Sequence, residues 1–226
     1  MSNREPMLIE VWSDIACPFC YIGKRRLEAA IARFPHAADV QVAWRSFQLQ
    51  PDLRTDPNLR LNDYLAATKG FSAADVERMQ VRVRTMGESE GIAFDFDHVV
   101  VANTFDAHRL LQFAHAQGQG NAMKQRLLEA NFTEGANVAD HATLQALAAD
   151  VGLDADAVRA LLAGDGYADE VHRDIAEARQ ERVSGVPFFV FDRSYAFSGA
   201  QPPALFDEAL TRAHTEWQAR QASPVG

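Results

Sequence analysis

The sequence predicts an α/β fold in which the two ends of the chain build one sheet and a block of helices is inserted between them. Two observations carry this expectation. Short apolar, strand-like runs occur only near the ends, at 7–12, 40–47, 187–191 and 195–197. Between them, segments rich in Ala, Leu, Arg, Glu and Gln follow one another from about residue 60 to 180, with apolar residues at helical spacing and stops at glycine. At 226 residues the chain is long enough to bury a large core without disulfide staples.

Taken in order, MLIEVW (7–12) is apolar and partly β-branched, as a buried strand requires. YIGKRRLEAAIARF follows, with Ile22, Leu27, Ala30, Ile31 and Phe34 on one helical stripe and Pro18 in the first turn, where a missing N–H costs nothing. VQVAWRSF (40–47) alternates as a second strand. Ser72 and Asp75 form a short capping box ahead of ADVERMQVRVRTMG. Asn103 and Thr104 are capping candidates for FDAHRLLQFAHAQG. NAMKQRLLEANFTEG, DHATLQALAADVG and DADAVRALLAG continue the pattern, so that five or six short helices are expected in this block. They share no fixed period, which excludes a repeat architecture. PFFVF, a turn at Asp192–Arg193, YAF and a last amphipathic helix, PALFDEALTRAHTEWQARQ, close the chain. The expected division is a strand-rich part at 1–58 plus 183–226 and an inserted helical part at 59–182.

The formal net charge is −9, with no long basic run, a composition ill suited to nucleic acid or an anionic membrane surface. No stretch approaches the length of a membrane-spanning helix, and the first residues carry no basic segment leading into an apolar one. A cytoplasmic location is therefore expected, where paired cysteines serve catalysis or metal binding more often than structure.

DIACPFCYIG holds both cysteines of the chain, Cys17 and Cys20. Two cysteines three apart, where a strand gives way to a helix, suit a redox dithiol. A sulfur at a helix N-terminus meets unpaired N–H groups and the positive end of the helix dipole, both of which favour the thiolate that exchange chemistry needs. Cys17 would attack a substrate disulfide, and Cys20, one turn on, would resolve the mixed disulfide; run in reverse, the pair donates its own. A structural zinc site needs four ligands, and only histidines such as His108 and His115 could complete one, so no metal is expected. Asp14 reads as a turn cap or a local proton acceptor.

A second stretch, Ser184-Gly185-Val186-Pro187, sets a proline directly before an apolar strand. A cis bond there would leave the Val186 backbone to pair with an extended peptide; an ordinary trans proline at a strand start is the bland alternative.

Together, SDIACPFCYIG and SGVPFFVF resemble the DsbA-like branch of the thioredoxin superfamily, and within it the FrnE-type thiol–disulfide oxidoreductases; NTFDAHRLLQFA and FSGAQP are similar to that family's intermediate motifs. The resemblance, which runs from about residue 7 to 218, implies a thioredoxin fold with a large inserted α-helical domain. It implies that Cys17 is the exposed nucleophile and Cys20 its resolver, and that Pro187 is cis and faces them with Val186 offering its backbone to substrate. Asn103, His108 and Arg109 would belong to the helical lobe over the site, and Gln201 to a loop that touches glutathione in related enzymes. Pro18 and Phe19 separate the cysteines; DsbA has a histidine there, and Phe19 cannot donate a hydrogen bond to sulfur, which implies a less oxidising pair than in DsbA. The implied function is exchange of a CxxC dithiol with protein or small-molecule thiols and disulfides, with no resident cofactor and with glutathione open as a co-substrate. The alternative is a glutathione-dependent isomerase or transferase resembling 2-hydroxychromene-2-carboxylate isomerase and the kappa-class transferases. Those enzymes carry serine where Cys17 stands.

Overall fold

The structure is a computed structural model and describes residues 5–222. Strand β1 (Met7–Ser13) leads into α1 (Pro18–Arg33), a 3-10 turn (Ala37–Asp39) and β2 (Val40–Ser46). Seven helices follow: α2 (Leu61–Lys69), α3 (Ala73–Glu88), α4 (Phe105–Ala116), α5 (Gly120–Phe132), α6 (His141–Asp150), α7 (Ala155–Ala163) and α8 (Ala168–Gln180). Then come β3 (Phe188–Phe191), β4 (Tyr195–Ser198) and α9 (Pro203–Ala222). The described block thus holds more helices than the five or six expected. Helix α8 is polar on average, and its narrow buried stripe of Val171, Asp174 and Ala178 includes an aspartate.

The sheet order is β2-β1-β3-β4. β1 runs parallel to β2, from Met7↔Val40 to Ser13↔Ser46, and antiparallel to β3, with Val11 opposite Phe189; β3 and β4 are antiparallel. Alternation along the strands sets the two layers. Met7, Ile9, Val11, Phe189 and Phe191 join α1 and α9 through Leu27, Phe206, Leu210 and Ala213. On the opposite face Trp12, Phe188 and Val190 meet Ala178 and Val183, at and just beyond the end of α8. That face also carries charge. Asp174 accepts from the Ser46 N–H (2.8 Å) and the Gln112 amide (2.6 Å), and Arg45 bridges Asp174 and Glu10.

The helical block is not a separate core. One apolar cluster runs from Ile9, Val11 and Trp44 into Leu110, Met123, Leu127, Leu144 and Val158. A second joins Tyr21 and Ile22 of α1 to Val83, Phe94, Phe96, Leu128 and Phe132. Helix α1 is therefore covered on both sides, and even its Lys24 and Arg26 are buried. At the far end of the sheet His36 and His214 stack, with ring centroids 4.3 Å apart and 12° between planes, and His214 Nε2 meets Asp39 at 2.9 Å. This trio ties α9 to the 3-10 turn.

Candidate active site

The strand–helix junction after β1 places the two cysteines. Cys17 is the N-cap of α1 in extended conformation (φ −103°, ψ 112°), and Pro18 occupies the first turn. The Cys20 N–H bonds to the Cys17 carbonyl at 3.0 Å, closing the turn that holds the two side chains near each other, and both cysteines are free thiols, each of which shifts the other's ionisation. Across from them the Val186–Pro187 bond is cis. The Cys17 sulfur lies 3.5 Å from the Val186 carbonyl, to which it donates, and the Pro187 carbonyl is taken by the Gly199 N–H at 2.7 Å.

Gly23 lets these parts meet. A Cβ there would stand 2.9 Å from the Phe189 ring and 3.0 Å from Pro187 Cγ, closer than real Cβ atoms pack. With hydrogen in its place, α1 lies directly on the start of β3 and carries Cys17 to Val186.

The electrostatics depart from the resemblance on two points. Cys17 is buried, at 4 % exposure, and not the exposed thiol expected. Nor is it the more acidic sulfur. Its side chain makes no capping bond to the helix N–H groups, and its proton is directed at acceptors. The hydrogen bond to Cys20, then burial, then the negative charge at Cys20 and Asp14 push the Cys17 thiol well up. Burial works against the Cys20 thiolate too. The hydrogen bond from Cys17, the charge of Lys124, the Ser13 hydroxyl and the Asp14 N–H outweigh it and hold Cys20 down. The pair thus gives up its first proton more readily than a free thiol and its second much less readily.

Beneath the pair lies Asp14, buried and fully engaged. Its carboxylate accepts from the Leu49 N–H (2.7 Å), the Thr104 hydroxyl (2.8 Å) and the Ala16 N–H (3.3 Å), and His108 Nε2 stands 3.3 Å away. Burial opposes its charge, but His108, Leu49 and Thr104 hold its carboxyl below the usual range. Asp14 is both the turn cap and a fixed negative charge.

The other expected residues divide. Phe19 packs against the Tyr21–Phe94 cluster, and Pro18, beside it, is half-buried. His108 reaches the floor of the site through Asp14. Asn103 spends its amide on the loop after β2, donating to the Pro51 (3.1 Å) and Leu53 (2.9 Å) carbonyls and accepting from Gln48, and borders a groove of about 810 Å³. Gln201 donates to the Ser198 carbonyl at 2.8 Å, and its own carbonyl is held by Arg26. Arg109 is not brought to the sulfurs as a binding group. Its guanidinium donates to the Leu161, Gly164 and Gly166 carbonyls and to Asp106, four bonds that lock α4 to the α7–α8 connection.

Two residues were missed by sequence reasoning. Ser13, at the end of β1, is fully buried, its hydroxyl has no hydrogen-bond partner among the described residues, and it contributes to holding Cys20 down. Lys124 on α5 is fully buried, and its Nζ has no hydrogen-bond partner among the described residues. A signal for Lys124 was present: NAMKQRLLEANF sets it on the same stripe as Gly120, Leu127, Leu128 and Asn131, the buried side of the helix. No helix among the described residues is long and apolar enough to cross a membrane.

Among solved structures, a probable DsbA oxidoreductase of Streptomyces coelicolor is 40% identical, with a TM-score of 0.88 over 97% of this chain and 93% of that one. An uncharacterized Bacillus subtilis protein, YwbO, is 29% identical over 205 residues, which make up 90% of this chain and 95% of YwbO. The cytosolic disulfide reductase DsbM of Pseudomonas aeruginosa, solved with glutathione, shares the fold at 19% identity and a TM-score of 0.62, over 95% of this chain and all of that one. The DSBA-like thioredoxin domain model matches residues 8–211, and with the inserted helices, the shared sheet and the strand–helix dithiol in view, this chain belongs to the DSBA-like thioredoxin family.

Proposed function

We propose that the protein is a thiol–disulfide oxidoreductase that exchanges its Cys17–Cys20 pair with protein or small-molecule disulfides. The observation that carries this reading is two free thiols one turn apart at a strand–helix junction, with the Cys17 sulfur against the Val186 carbonyl of the Val186–Pro187 bond. An incoming extended substrate would displace the Cys17 S–H from the Val186 carbonyl. Cys17 then passes its proton to the Cys20 thiolate and attacks. The Cys17–substrate S–S bond forms as the substrate disulfide breaks, the leaving sulfur carrying the electron pair. In the second step Cys20 gives the proton it received to the first leaving thiolate and attacks Cys17, the Cys17–Cys20 bond forms, and the second substrate sulfur leaves as a thiolate. The pair is oxidised by two electrons and the substrate disulfide is reduced.

Glutathione is the co-substrate this reading favours, supported by the fold shared with a disulfide reductase solved with glutathione, and that protein's cytosolic setting fits the same chemistry. The reading is tested by redox titration and turnover with insulin and glutathione disulfide. Cys17→Ser is expected to abolish exchange, and Cys20→Ser to accumulate mixed disulfides. Equal turnover in wild type and both variants overturns the reading. Glutathione-dependent isomerisation that survives loss of both sulfurs would transfer the assignment to the isomerase or transferase class.

A further inference from the structure

The chain uses arginine at 19 of its 22 basic positions and lysine at three: Lys24, Lys69 and Lys124. Lys24 and Lys124 are both buried over the Trp44 ring, with Nζ 5.7 Å and 5.9 Å from its centroid. They differ in partners. Lys24 holds Glu28 at 2.6 Å. Lys124 holds nothing: its ammonium lies over the ring, within the field of the two sulfurs and of Asp14, whose oxygens are already engaged by Leu49, Thr104, Ala16 and His108. A buried ammonium without a hydrogen bond is costly, and a lysine, unlike an arginine, can shed that cost by losing its proton.

We infer that Lys124 is a redox-linked proton site, a positioning residue that is charged while the Cys17–Cys20 pair is reduced and neutral once the pair closes to a disulfide. The inference rests on the exchange reading above. The balance is complete. Disulfide and neutral amine take up two electrons and two protons to give Cys17 thiol, Cys20 thiolate and Lys124 ammonium, with no change in net charge inside the protein. Oxidation of the pair by a substrate disulfide releases the same two protons to the two substrate thiols. The Lys124 amine is already pushed down from its usual value to about 8, by burial first, while the Cys20, Asp14 and Cys17 charges support it and Lys24 opposes it. Closing the disulfide removes the Cys20 thiolate, the strongest of its supports, so the proton leaves more easily.

Two variants separate this role from a packing role. Lys124→Met removes the charge in both redox states. The Cys20 thiolate loses its cation, and the equilibrium constant for reduction of the pair by glutathione is expected to fall at least threefold at pH 7. Lys124→Arg fixes the charge in both states. The disulfide form then keeps a buried cation that has lost the Cys20 thiolate and has only Asp14 as counter-charge, and the same constant is expected to rise at least tenfold. A residue that merely fills space would move both variants in one direction, and that outcome overturns the inference. Should either variant fail to fold, the wild type decides. With 13C-labelled lysine, the Lys124 Cε resonance is expected to titrate at lower pH in the oxidised protein than in the reduced one, and coincident curves overturn the inference. A wild type that does not equilibrate with glutathione at all overturns the exchange reading, and this inference with it.

Discussion

Arg109 and Lys124 are both buried cations on neighbouring helices of the inserted block, and they do opposite things. The Arg109 guanidinium makes four hydrogen bonds, to three carbonyls and Asp106; the Lys124 amine has no partner among the described residues. A saturated buried charge is part of the fold, because removing it strands its acceptors. An unsaturated one works against the fold and is tolerated where its charge has another use. Burial alone distinguishes neither. Sequence reasoning chose Arg109 for the site and passed over Lys124, whereas the count of partners reverses that choice.

The sharpest test of this contrast is Arg109→Met. Three carbonyls and Asp106 lose their donor, and about 3 kcal/mol or more of stability is expected to go. Urea denaturation measures it. The pH dependence of exchange by the folded fraction should stay as in wild type, and a changed profile would bring Arg109 back to the site.

Lys124→Met should move stability the other way. A lysine whose proton affinity falls from the ordinary 10.5 to about 8 on folding is bound to more protons in the unfolded chain between those two values. Its charge therefore opposes folding fully below pH 8, by roughly 3 kcal/mol at most, and the opposition disappears as pH rises to 10.5. The variant is expected to be more stable than wild type at pH 7, with the gap closing in alkaline urea melts. A destabilised variant at pH 7 would place Lys124 with Arg109 as a structural cation.

Asp14→Asn gives the smallest change. One oxygen can still accept, and the loss is about 1–2 kcal/mol at pH 7. Because folding lowers the Asp14 carboxyl below its ordinary 3.8, the wild type holds this contribution above that pH and loses it as pH falls through the lower folded value. Acid titrations of both proteins should therefore converge, and parallel curves would show that folding leaves the Asp14 proton affinity unchanged.

Much of the fold was legible because it rests on local pattern. The alternation in VQVAWRSF, the apolar stripe after Pro18 and the capping box at Ser72 and Asp75 each predict an element that the structure contains. Helix α8 was not legible, since its buried face carries Asp174, whose partners Ser46 and Gln112 lie far off in sequence. The dithiol was legible from spacing. Which sulfur is held as the anion was not, because that depends on where Val186, Lys124 and Ser13 stand around it.

By itself the sequence determined the elements, the strand–helix position of Cys17 and Cys20, and the proline at residue 187, all features whose causes lie within a few residues along the chain. Only the tertiary structure decided the cis bond opposite the sulfurs, the burial of Cys17, the engagement of Asp14 and the isolation of Lys124. The physical reason is electrostatic. Whether a buried group keeps its proton depends on every charge and dipole within several ångströms, and those neighbours are gathered from distant parts of the chain by the packing of α1 between the sheet and the helical block.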